Sequence, residues 1–165
     1  MQNAKDTFYI TLRDRIAALN PARTIVVRGA SRPGVVAEEN ELASSFEHQD
    51  AFVLRWTETK LDTQSPLPLI TMRCEIRYAT QGNTGNGGMD RGRLLTAMDA
   101  ELLAALTAIP QNSQKQHYSA GTSAQSQRTS IFWSDPAFAP TQASGELLER
   151  TATVDVFSYQ EAQER

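Results

Sequence analysis

A glycine run, Gly82-Asn83-Thr84-Gly85-Asn86-Gly87-Gly88, invites a phosphate-site reading, because backbone amides leading into a helix attract anions. The run lacks the Gly-Lys-Ser/Thr ending of a P-loop and the spacing of a dinucleotide fingerprint, and Asp90 stands where an anion would sit. It is therefore read as a flexible connector, with Asp90 as a helix cap. His48 and His117 lie far apart, each in a polar context with no second ligand at metal-binding spacing. Cys74 occupies an apolar position of an alternating strand, where a nucleophile would be shielded from substrate. Carboxylates cluster at Glu38-Glu39-Asn40-Glu41 and at Glu146 with Glu149, and acid–base hydrolysis would need a cleft between such groups. No serine stands in a GxSxG elbow. The sequence thus nominates no catalytic residue, no cofactor-binding residue and no metal ligand.

The elements that would position these residues are clearest between Leu69 and Ile109. Ile70, Met72, Cys74, Ile76 and Tyr78 alternate with Thr71, Arg73, Glu75 and Arg77, the pattern of a half-buried strand. Beyond the glycines, Leu94, Leu95, Met98, Leu102, Leu106 and Ile109 recur at helical spacing. Upstream, Phe8, Leu12, Ile16 and Leu19 mark a first helix, capped by Asp6 or Thr7 and stopped by Asn20-Pro21. Short strands are expected at Thr24 to Arg28, ended by the Arg32-Pro33-Gly34 turn, and at Ala51 to Thr57. The Ser/Gln-rich segment 110–128 is nearly free of apolar residues and is expected to be a mobile loop. Thr129 to Trp133 reads as a strand, Pro140 to Gly145 as a turn, and Leu147 to Tyr159 as a closing strand. The expectation is one α+β domain over 1–165: an antiparallel sheet with two helices on one face, in the order α-β-β-β-α-β-β.

Bulk composition narrows the function classes. The chain has 165 residues, 21% charged, and a formal net charge of -3. The arginines are interleaved with acids, which argues against a nucleic-acid face, and no apolar run is long enough for a membrane span. A single cysteine excludes an internal disulfide, and the chain reads as a cytoplasmic protein. The polar strand face, with Arg73, Glu75, Arg77 and Asp155, is either a solvated surface or a subunit contact.

Several of these features together resemble the phage tail terminator (minor tail protein U-like, tail-completion) family. They are the amino-terminal helix, the Arg32-Pro33-Gly34-Val35-Val36 turn with Glu38 and Glu39 behind it, and the strand Ala51 to Thr57. In the later half they are the strand Met72 to Ala79, the helix beginning Asp90-Arg91-Gly92-Arg93-Leu94, and the strand Arg150 to Val156. The segment 110–128 is longer than the family's connection. The resemblance implies a non-enzymatic ring, commonly hexameric, that assembles in the cytoplasm, caps the tail tube and joins it to a head–tail connector in the virion. No cofactor is implied. Glu38, Glu39 and Glu41 set against Arg73, Arg77 and Arg93 are then candidate subunit or partner contacts. A ligand-binding or regulatory module with a pocket between the second helix and the sheet is the main alternative, and a small hydrolase using the acidic loop a third.

Overall fold

The computed structural model describes residues 1–40, 49–64, 66–82, 89–119, 122–161 and 164. Helix α1 (Gln2–Leu19) is followed by β1 (Thr24–Val27), β2 (Ala30–Pro33) and β3 (Val35–Ala37), then a 3-10 turn at Glu38–Asn40. The long strands β4 (Phe52–Asp62) and β5 (Leu69–Thr80) precede α2 (Asp90–Thr107). The chain closes with β6 (Asn112–His117), β7 (Gln125–Trp133), β8 (Ala137–Phe138), β9 (Gln142–Ser144) and β10 (Leu147–Tyr159). Of the described residues, 46% lie in strands and 28% in helices.

This corrects the expected fold class and element order. The molecule is predominantly β, with ten strands among the described residues. Eight form one sheet in the order β3-β4-β5-β10-β7-β6, with β8 and β9 also pairing β10, while β1 and β2 form a separate ribbon. The sheet is mixed as well, since β3 runs parallel to β4. The turn at Arg32-Pro33-Gly34 belongs to the ribbon and the step into β3, with Gly34 N–H donating to the Arg23 carbonyl at 2.8 Å.

The segment 110–128, expected as a loop, instead supplies β6 and the first residues of β7, which pair antiparallel. Its polarity has two causes. One side of the hairpin faces solvent, and the position that points inward is Lys115, fully buried and ion-paired to Glu164 at 2.6 Å.

Alternation fixes the core. Ile70, Met72, Cys74, Ile76 and Tyr78 of β5 and Ala152, Val154 and Val156 of β10 all point to one side, where α1 supplies Phe8, Leu12 and Ile16 and α2 supplies Leu95, Met98, Leu102 and Leu106. Phe8 sits edge-on to both Trp56 and Trp133, with centroids at 5.9 and 5.5 Å. A bulge between Trp56 and Glu58 inserts one residue into β4. Before it, Phe52, Leu54 and Trp56 face inward; after it, Glu58 and Lys60 face out. Asp90 is the first residue of α2 and does not cap it, because Met89 holds the cap position.

Candidate interaction surface

The face of the sheet opposite the helices carries the charges that the sequence singled out. Alternation along β5 sends Arg73, Glu75 and Arg77 outward, and the register sets Asp155 directly opposite Arg73 and Glu58 on its other side. Arg73 Nε donates to Asp155 Oδ1 at 3.0 Å, and its Nη1 lies 3.4 Å from a Glu58 oxygen. The Asp155 hydrogen bond and charge raise the Arg73 guanidinium above its ordinary value. Arg77 Nη2 donates to Glu38 Oε1 at 3.0 Å, and Arg55 Nε approaches the other Glu38 oxygen at 3.6 Å. The strip is therefore a set of in-chain pairs crossing β4, β5 and β10. Each is exposed and screened by solvent, so the strip adds little to folding stability.

The six candidate contact residues separate in space. Glu38, Arg73 and Arg77 fall on this strip. Glu39 turns away and accepts from Lys5 of α1 at 2.9 Å. Arg93 is exposed in the first turns of α2, on the layer covering the other side of the sheet. Glu41 lies outside the described residues, as do His48 and 83–88 of the glycine run.

An aromatic plate adjoins the strip: of its members the sequence marks Phe132 as a strand aromatic suited to a core or interface anchor, while Phe157 and Tyr159 carry no such mark. Phe157 is the register partner of both Phe132 on β7 and Thr71 on β5. The Phe132 and Phe157 rings stack at 5.1 Å, with Tyr159 at 6.4 Å from Phe132. Phe132 is 37% and Tyr159 38% exposed. The signal was present in the parity of β10: Phe157 and Tyr159 stand at the solvent-facing positions where Thr153 and Asp155 also fall. Apolar residues on a solvated face ask for a partner.

The remaining titratable groups serve as tethers. Arg23 Nε donates to Glu101 Oε2 at 2.6 Å and Asn20 Nδ2 donates to Glu101 Oε1 at 2.8 Å, joining the end of α1 to α2. Burial raises the Glu101 carboxyl, but these hydrogen bonds outweigh it and hold the group below its ordinary value. Arg150 bonds Asp99 of α2 at 2.5 Å, and the Tyr78 hydroxyl donates to the same carboxylate; burial above all, then the Asp99 hydrogen bond and charge, raises the phenol against the opposing pull of Arg150. Burial likewise raises the Cys74 thiol. Among the described residues no group of three or more His, Cys, Asp or Glu side chains could hold a metal ion, and no helix is long and apolar enough to cross a membrane.

The space between α2 and the sheet is filled by Met98, Leu102 and Leu106. A cavity of about 720 Å³ lies elsewhere, lined by Asn3, His117, Gln125, Gln127, Arg128 and Glu161 among others. There His117 Nδ1 lies 3.2 Å from Asn3 Oδ1 and its Nε2 3.0 Å from Ser119 Oγ, while Glu161 accepts from the Thr129 amide and hydroxyl. Comparison of the chain with protein-family models and with curated proteins found no match to either.

Proposed function

We propose that the chain is a non-enzymatic structural subunit, resembling a phage tail terminator, that forms a homo-oligomeric ring, caps a tail tube and meets a head–tail connector. The observation that carries this reading is the outer sheet face, where stacked Phe132 and Phe157 with Tyr159 are bordered by charges already balanced within the chain. An apolar centre with a polar rim is the anatomy of a protein–protein interface. Pairing the rim charges in-chain lowers the cost of partly desolvating them when a neighbour arrives, relative to lone ions. On this reading assembly takes place in the cytoplasm and the product resides in the virion tail.

Light scattering combined with electron microscopy of the purified protein tests it. The expected result is annular particles whose mass is a multiple of one subunit. A mass of one subunit at high micromolar concentration sinks the reading. A ligand-binding module has the cavity of about 720 Å³ in its favour, a volume within the usual range for small-molecule sites; a ring that forms without any added ligand counts against it.

A further inference from the structure

The cavity beside the start of α1 is lined almost wholly by polar side chains, and most of them already answer one another. Asn3 gives its Nδ2 to Glu164 Oε1 at 3.5 Å, which leaves Asn3 Oδ1 to accept from His117 Nδ1 at 3.2 Å. That arrangement places the imidazole proton on Nδ1 and makes Nε2 the acceptor for the Ser119 hydroxyl at 3.0 Å. Ser126 is bonded to the Gln116 side chain, and Glu164 to Lys115. The Met1 amine lies 3.8 Å from the same Glu164.

Three groups on the lining are left over. Arg128 is exposed, and among the described residues nothing pairs with its guanidinium. Gln127 Oε1 is buried without a hydrogen-bond partner, although the backbone carbonyl of the same residue accepts from Gln114. A buried acceptor in that state calls for a donor. Glu161 Oε1 takes the Thr129 amide and hydroxyl at 2.8 and 2.9 Å, and among the described residues no cation lies within ion-pair distance of this carboxylate. A guanidinium, a carboxylate and a lone amide oxygen therefore border one space of about 720 Å³. A neutral sugar would leave both charges unanswered, and a simple anion or cation would answer one and repel the other. A molecule carrying both signs answers all three.

We infer that this cavity binds a small zwitterion of the amino-acid type, its carboxylate on Arg128 and its ammonium divided between Glu161 and Gln127 Oε1. A guanidinium suits a carboxylate through two parallel hydrogen bonds, and an ammonium has three N–H donors to share among acceptors. None of the plate's aromatic residues borders the cavity, so the inference goes beyond the ring reading and does not depend on it.

Each coded amino acid is offered in turn to the full chain and followed by saturation-transfer NMR, with glucose as a neutral comparison; binders are then titrated by calorimetry beside their N-acetyl and carboxamide derivatives. At least one free amino acid should saturate the chain at one molecule per subunit. Acetylation removes the ammonium and amidation the carboxylate, and each should weaken binding about tenfold or more. Arg128→Gln, at an exposed position, should keep the wild-type melting curve and lose the discrimination between acid and carboxamide. The inference fails if no amino acid binds, if glucose alone binds, or if the derivatives bind as well as the parent acid. Equal binding by wild type and Arg128→Gln overturns it too. Particle mass, measured on the same samples, reports separately on the ring: rings that bind no amino acid leave that reading standing alone, and a single subunit that binds one leaves only the cavity.

Discussion

Two buried ionisable residues illustrate how the chain spends its reactive groups. Cys74 sits on the inward side of β5 with its thiol raised by burial, so thiolate is scarce at neutral pH. Iodoacetamide should leave it unmodified in the folded protein and label it fully in denaturant; fast labelling of native protein would contradict this burial. Lys115 places its ammonium against Glu164 at 2.6 Å, the Tyr159 carbonyl at 2.7 Å and the Ser158 hydroxyl at 3.4 Å. Burial raises the Glu164 carboxyl, but the Lys115 bond and the Glu161 amide overcome that and hold it below its ordinary value. A carboxyl lowered on folding adds stability above its unfolded pKa, about 4.3, and loses it as pH falls towards the folded value. Thermal unfolding of wild type should therefore weaken from about pH 5 downward, and Glu164→Gln should flatten that slope. The same substitution strands a buried ammonium and should cost about 3 to 5 kcal/mol at neutral pH by chemical denaturation. Combining it with Lys115→Met should recover part of the loss.

At the scale of elements, close approaches decide which small residues can change. Gly82 has φ +74, and a Cβ there would strike the Arg91 side chain and come within 2.9 Å of the Arg91 backbone nitrogen. The entry to α2 is thus a tight fit at this glycine, whatever freedom the run was expected to have. Gly82→Ala should destabilise by about 1 to 3 kcal/mol, measured by urea titration; an unchanged midpoint would show that α2 can shift aside. Strands with unbroken alternation were legible in the sequence, β5 and β10 above all, because each has one dry and one wet face. β4 was legible only as far as Thr57, where the bulge reverses which parity faces the core. β6 was illegible because its one inward side chain is a lysine whose partner, Glu164, lies 49 residues away. Of the surface, the ladder around Arg73 and Arg77 could be read from strand parity. The stacking of Phe132 on Phe157 could not, since it depends on the pairing of β7 with β10.

For the whole molecule, strand count outweighs helix content, and the α+β expectation failed because short strands carry almost no periodic signal. β2, β3, β8 and β9 have four, three, two and three residues. β3 is buried at every position, so it shows no alternation at all. The polar outer face with its aromatic plate then bears on association, and ring formation by the wild-type chain remains the decisive measurement at this scale. One topological fact reaches further. β10 comes last among the described strands yet lies mid-sheet, between β5 and β7, with β8 and β9 also bound to it. A nascent chain still missing it would hold β4–β5 and β6–β7 as two disconnected hairpins, neither able to complete an apolar layer. Synthesis interrupted there leaves two half-layers and no folded domain, so the core closes only once β10 has been made.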